Sequence, residues 1–152
     1  MRAELTVASP LGPLLLTEED GALVSLGWGE GGTDETPLLV EARRQLDHYF
    51  AGRLRNFDLP LAARGTPFQR RVWEALLAIP YGEVQRYNDI ARTAGGVARA
   101  VGGACGSNPI AIVIPCHRVI GSAGLTGFSG GKGVETKQAL LDLERGQTRL
   151  GV

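Results

Sequence analysis

The chain has 152 residues, 43% of them apolar, with 16 basic and 16 acidic side chains and a net charge of zero. That is one compact unit or two small ones, with enough apolar content for a packed core, so a disordered chain is ruled out. No apolar run approaches the roughly 20 residues that span a bilayer, and Met1-Arg2-Ala3-Glu4 does not open a signal peptide. A cytosolic protein is therefore expected, with Cys105 and Cys116 as reduced thiols rather than a disulfide.

The zero net charge hides a split. Residues 1–63 carry 5 basic and 10 acidic side chains, whereas residues 64–152 carry 11 and 6. A basic second half is compatible with a polyanionic partner, and equally with an ordinary solvated surface.

Residues 4–7 and 14–17 read as short strands around the turn residues Ser9-Pro10-Leu11-Gly12-Pro13. Asp20-Gly21 is a hairpin signal before a third strand at 22–26. A helix is predicted over 37–50, with Leu39, Ala42, Leu46 and Tyr49 on one face and Ala51-Gly52 as its stop. Asn56-Phe57-Asp58-Leu59 is a further candidate strand. This half reads as a small α/β (α+β) support domain, residues 1–63, and contains no constellation that implies chemistry.

The second unit, residues 64–152, opens with a helix. Thr66 is its N-cap, Pro67 its first residue and Gln69 completes a capping box. Phe68, Val72, Trp73, Ala75, Leu76 and Ile79 form the apolar stripe, and Pro80 ends it. Two short helices follow, at 87–94 and about 97–106, joined by Gly95-Gly96, which suggests a helix-turn-helix. The second of these contains Gly102 and Gly103, each costing about 1 kcal/mol relative to alanine. Either tight packing against a neighbouring helix or close approach to a partner surface would offset that cost. Its side chains are small except Arg99, so it could lie in a DNA groove.

Asn108-Pro109 turns the chain into Ile110-Ala111-Ile112-Val113-Ile114, which reads as a buried strand or extended segment. Pro115 cannot continue a ladder, so Cys116 and His117 are expected at a turn on the edge of the core. Residues 119–120 and 125–126 are expected to pair as a hairpin, and 128–133 to form a loop. A last helix is predicted over 134–144, with Ala139, Leu140, Leu143 and Thr136 inward.

A thiolate is a nucleophile, and a nearby imidazole favours it. A third group should orient that imidazole. Glu144 is a candidate, and Asp142 and Glu135 are equally open on the residues alone. A buried structural cysteine beside a chance histidine is the competing reading. Two cysteines and two histidines at these spacings do not make a zinc site, and the glycines at 127–133 lack the context of a phosphate loop, so neither metal nor cofactor is expected.

Thr66-Pro67-Phe68 with Val72-Trp73, Ile79-Pro80-Tyr81-Gly82, Ala98-Arg99-Ala100-Val101-Gly102, Asn108-Pro109, Ile114-Pro115-Cys116-His117-Arg118-Val119-Ile120 and Ser129-Gly130-Gly131 occur in this order. Together they resemble the methylated-DNA–protein-cysteine methyltransferases, the O6-alkylguanine-DNA alkyltransferases, over about residues 66–144. The resemblance implies a strand-rich N-terminal domain followed by a helical, winged-helix-like domain with a helix-turn-helix. It implies irreversible, single-turnover transfer of an alkyl group from O6-alkylguanine, and less from O4-alkylthymine, in double-stranded DNA entered from the minor groove by a monomer.

On that resemblance Cys116 is the nucleophile, His117 the base acting through a water, and Glu144 the group that orients His117. Asn108 braces the turn, and Tyr87 donates a proton to the leaving guanine. Arg99 fills the gap left by the extruded base. Ala98, Ala100, Gly102 and Gly103 form the smooth groove-facing surface. The backbones of Cys116 and Val119 hold the exocyclic amine, while Phe128, Ser129 and Gly130 line the pocket. The chain departs from the family pattern at Arg86, where serine is usual and a phosphate contact becomes possible. It departs again at the turn Gly95-Gly96-Val97, about two residues short, and at Phe128, where tyrosine is common. A lesion-binding relative that lacks the nucleophile, a cysteine hydrolase and a helix-turn-helix regulator are the competing readings.

Overall fold

A computed structural model of the chain describes residues 1–122, 124, 127–128 and 130–146. The first half is a three-stranded antiparallel meander, β1 (Arg2–Val7), β2 (Leu14–Glu19) and β3 (Ala22–Trp28), covered by helix α1 (Pro37–Phe50). The β2–β3 turn is Asp20-Gly21, with φ of 50° and 82°. Two consecutive left-handed residues match the twist of a tight hairpin, which is why Asp-Gly occupies it. Thr36 Oγ1 accepts from Leu39 N at 3.1 Å and Pro37 opens the helix. Leu39, Ala42, Leu46 and Tyr49 are buried, as their spacing requires.

The expected strand at 56–59 does not form. The Gln45 side chain takes both backbone groups of Asp58, donating to its carbonyl at 3.0 Å and accepting its N–H at 2.9 Å. Those groups are therefore lost to a ladder. Pairing to β3 falls later, as a single parallel bridge between Leu23 and Leu61.

Helix α2 (Pro67–Leu77) carries the expected capping box between Thr66 and Gln69. After a two-residue strand β4 (Gln85–Arg86), helices α3 (Tyr87–Ala94) and α4 (Ala98–Gly106) form the helix-turn-helix. Trp73 Nε1 donates to the Ala104 carbonyl at 2.9 Å and Arg71 Nε to the Ala94 carbonyl at 2.9 Å, tying both helices to α2. The final helix is α5 (Val134–Glu144). Of the residues expected inward on it, Thr136, Leu140 and Leu143 are buried and Ala139 is half-buried, while Lys137 and Glu144 are buried as well.

One expectation about the middle of the second half needs correction. Ile110, Ile112, Val113 and Ile114 are buried and Ala111 is half-buried, but residues 110–114 are not a strand. Ile110 makes one bridge to Leu26, after which Ile112 turns the chain with φ 72° and Ile114 N donates back to the Ile110 carbonyl at 3.0 Å. Asn108 forces this fold by accepting from Ile110 N (3.0 Å) and donating to the Ile114 carbonyl (2.8 Å). Next, β5 (Val119–Ile120) pairs in parallel with β4; residues 125–126, its expected hairpin partner, lie outside the described residues. A bridge between Gly121 and Gly124 closes the turn that follows. One continuous core runs from Leu5 and Leu26 through Val72 and Ile110 to Leu143.

Candidate functional site

Pro115, with φ −83° and ψ 65°, breaks the extended direction, and Cys116–Arg118 form one 3₁₀ turn. With about three residues per turn, three consecutive side chains leave in three directions. Cys116 faces a cavity, while His117 and Arg118 both meet the carboxylate of Glu144. The choice left open among Asp142, Glu135 and Glu144 is thereby resolved: His117 Nε2–H donates to Glu144 Oε2 at 2.7 Å.

Glu144 is heavily engaged. Arg118 donates from Nε at 2.8 Å and from Nη2 at 3.1 Å, Tyr49 Oη at 2.6 Å, and Gly82 N at 3.3 Å. Arg118 also donates to the Ile79 carbonyl at 2.7 Å. Burial alone would raise the Glu144 carboxyl, but the hydrogen bonds and charges of His117, Arg118 and Tyr49 outweigh it and hold the group well below the usual carboxylate range. Burial pushes His117 down, against the pull of Glu144. The consistent state is a neutral imidazole with its proton on Nε2. Nδ1 is then an available lone pair, buried and without a hydrogen-bond partner among the described residues.

The Cys116 thiol is raised by burial, and hydrogen bonding from Asn108 and the charge of Lys137 oppose that rise only in part. At neutral pH it rests as a thiol, so a base must take its proton before it attacks. Cys105 is pushed up to about 12, by burial first and then by Cys116.

Cys116 lines a cavity of about 480 Å³ with Tyr87, Gly102, Cys105, Gly127 and Phe128, a volume in the range of small-molecule sites. Next to it lies a groove of about 420 Å³ lined by Arg86, Ala98, Arg99, Gly121 and Ser122. Tyr87 and Gly102 border both, so the groove adjoins the cavity of Cys116. Phe128 is held edge-on by Trp28 of β3, with ring centroids 5.9 Å apart. Gly130 packs so closely on the Trp28 ring that a Cβ there would collide with it.

The glycines of α4 behave differently. A Cβ built on Gly102, Gly103 or Gly106 would meet nothing within 4 Å. Packing against a neighbouring helix among the described residues therefore does not demand them, which removes the first of the two explanations for their cost. Ala98 and Arg99 share the groove with Gly102, while Ala100 and Gly103 are exposed on the same helix. Arg86 caps α3 in place of a hydroxyl residue and donates from Nη1 to the Gly121 carbonyl at 2.8 Å. Val119 is fully buried, and its N–H donates to the Cys116 carbonyl. Ser129 lies outside the described residues.

Three residues of the site were not anticipated. Tyr49 sits on a helix with no visible chemistry. Arg118 adjoins Cys116-His117 but shows its role only through its contact with Glu144. Lys137 interrupts an apolar stripe, and that interruption was the available signal.

Fold and site together define a class: a buried cysteine, next to a histidine–carboxylate pair, at the mouth of a helix-turn-helix groove. Residues 67–146 match the model of the 6-O-methylguanine DNA methyltransferase DNA-binding domain, and residues 3–63 that of the ribonuclease-like domain of the same proteins. The chain belongs to this family. It is 50% identical over 151 residues to a methylated-DNA–protein-cysteine methyltransferase of Mycobacterium bovis, covering 92% of this chain and 90% of that one. To the constitutive enzyme of Bacillus subtilis it is 45% identical over 155 residues, covering 92% and 93%. Its fold matches the crystal structure of the Mycobacterium tuberculosis O6-methylguanine methyltransferase with a TM-score of 0.86, 46% identity and coverage of 97% and 95%. It matches the crystal structure of M. tuberculosis OGT in complex with DNA with a TM-score of 0.84, 48% identity and coverage of 94% and 92%.

Proposed function

We propose that this chain repairs DNA by direct reversal, moving the alkyl group of O6-alkylguanine, and less of O4-alkylthymine, irreversibly onto Cys116. The observation that carries the reading is the intact Cys116 on the turn that joins His117 to Glu144 at 2.7 Å. It weighs against a lesion-binding relative without a nucleophile.

The base must leave the duplex, because a thiolate cannot approach an alkyl carbon in line inside the stack. Arg99, exposed on α4, fills the gap, and the glycine surface of α4 lies in the minor groove. Arg86 borders the same groove as a second cationic contact. In the cavity, the Cys116 and Val119 backbones hold the exocyclic amine, with Phe128 along the wall. A bridging water carries the Cys116 proton to His117 Nδ1. The sulfur–carbon bond forms as the carbon–O6 bond breaks, and the electron pair leaves with guanine. Tyr87 protonates the guanine. Proton exchange with solvent then restores His117 and Tyr87, so the thiol proton is balanced by the one on guanine. Glu144 stabilises the imidazolium formed on the way. Asn108 keeps the turn in shape. No cofactor takes part.

We further read residues 1–63 and 64–152 as two domains, acting as a monomer in the cytosol. No helix among the described residues is long and apolar enough to cross a membrane.

Intact-protein mass after incubation with a duplex carrying one O6-methylguanine tests the reading. The expected result is a stoichiometric gain of one methyl group on Cys116, absent in Cys116→Ser. Catalytic release of a product, or no gain, would overturn it.

A further inference from the structure

Cys116 borders two cavities. The one of about 480 Å³ opens past Tyr87 and Gly102 towards the helix-turn-helix groove. The other, of about 380 Å³, lies on the side of the first half and is lined by Leu26 and Trp28 of β3, Ala111, Phe128, Gly130 and Gly131. Cys116 and Phe128 belong to both linings. Base entry uses the first cavity and leaves the second empty.

The stereochemistry of the transfer gives the second cavity an occupant. In an in-line displacement the sulfur, the attacked carbon and the departing oxygen share one line, and the carbon's other substituents stand roughly perpendicular to it. A methyl group carries only hydrogens there. In any longer alkyl group the next carbon must leave the line sideways, beside Cys116. The base fills the groove side of the sulfur, so the chain is directed to the other side, between Cys116 and β3.

Trp28 is built into that side as a fixed wall. Its Nε1 donates to the Leu11 carbonyl at 3.0 Å. Its ring meets Phe128 edge-on, with centroids 5.9 Å apart, and leaves no room for a Cβ at Gly130. Ala111 N donates to the Leu26 carbonyl at 3.0 Å, which ties that part of the lining to the same strand. A half-buried indole whose one polar atom is already satisfied offers the cavity apolar surface.

We propose that Trp28 is a specificity-determining residue, its ring being the wall against which the chain of an O6-alkyl group longer than methyl packs during transfer to Cys116. This rests on the reading of Cys116 as the alkyl acceptor and names a substrate class for it: guanines carrying unbranched apolar chains at O6. The first half of the protein thereby takes part in substrate choice.

The test is the single-turnover rate of alkyl uptake, read by intact-protein mass, from duplexes carrying O6-methylguanine or O6-butylguanine. Wild type, Trp28→Ala, Trp28→Phe and Ala111→Leu are compared, with thermal unfolding alongside. Wild type is expected to take both groups. The ratio of the butyl to the methyl rate is expected to fall about tenfold in Trp28→Ala, the low end for losing a methylene's contact with an apolar pocket, and to stay near wild type in Trp28→Phe, which keeps an aromatic wall. A tryptophan that merely supports Phe128 would slow both substrates alike and leave the ratio unmoved. An unchanged or raised ratio in folded Trp28→Ala, or a ratio as low in Trp28→Phe as in Trp28→Ala, would overturn the proposal. If Trp28→Ala does not fold, Ala111→Leu decides: its added carbons fill part of the same cavity and must lower the ratio, and an unchanged ratio overturns the proposal. A wild type that takes methyl but no butyl also overturns it, whereas a wild type that takes neither sinks the repair reading instead.

Discussion

The Tyr49 hydroxyl donates to Glu144 Oε2 at 2.6 Å across 95 residues of chain. Tyr49 belongs to the sheet-covering helix α1, so the first half of the protein reaches the carboxylate that orients His117. Its ring packs edge-on to Tyr81 at 6.3 Å, and the Arg118 guanidinium lies 5.8 Å from the Tyr81 ring centre. Burial, and then the Glu144 charge, hold the Tyr49 phenol well above its ordinary value, so it remains a donor. The support assigned to the first half therefore extends to the active-site carboxylate itself.

Tyr49→Phe keeps the ring and removes one hydrogen bond to a charged acceptor. The expected loss of stability is about 1.5–3 kcal/mol. Urea unfolding should show a lower midpoint with an unchanged slope, and single-turnover methyl uptake should slow only severalfold, because His117 and Arg118 still hold Glu144.

Glu144→Gln is expected to do more. It leaves the buried Arg118 without its counter-charge, at a cost of about 3–5 kcal/mol. It also frees His117 from the acceptor that keeps its proton on Nε2. Methyl uptake is expected to fall by roughly 10²–10⁴-fold, the usual contribution of a positioned base. Quenched single-turnover assays at saturating lesion DNA check this. A variant of near wild-type rate would show that Glu144 serves only the fold.

Stability should depend on pH in a defined sense. Glu144 is held below its usual value, so its contribution is present above about pH 4.3 and lost as pH falls towards its native value. His117 is also held down, by its burial, so its contribution is full above about pH 6.5 and shrinks below that. Cys116 is held up by burial, and its contribution is present below about pH 8.5 and lost as pH rises through its native value. Urea midpoints should therefore form a plateau between about pH 7 and 8.5, fall first through His117 and fall again below about pH 4.3. In Glu144→Gln the lower limb should flatten.

Arg99→Ala should separate extrusion from chemistry. Arg99 borders the groove but not the cavity that holds Cys116. Repair of duplex O6-methylguanine should fall well below the wild type, while reaction with the free modified base stays close to it. Equal losses on both substrates would contradict a gap-filling arginine.

Much of the fold was legible because local rules decide it. The boundaries of α1, α3 and α5 fall where the apolar period, Pro37, Gly95 and Arg145-Gly146 place them, and the Asp20-Gly21 hairpin follows from backbone conformation alone. Two strands were misread because distant or side-chain groups took their hydrogen bonds: Gln45 occupied Asp58, and Asn108 folded 110–114 into a turn. Periodicity counts apolar residues and cannot register such competition.

The site divides along the same line. Sequence by itself determined a cysteine beside an imidazole and a costly glycine surface carrying one arginine, because each is a matter of residue type at short spacing. Only the tertiary structure decided which carboxylate meets His117 and that Tyr49 and Arg118 share it. It also decided that no described residue fills the space over Gly102 and Gly103. The physical reason is that burial and charge pairing depend on what lies opposite. For Glu144 that partner set comes from α1, the loop after α2 and the 3₁₀ turn, segments joined only when the core closes.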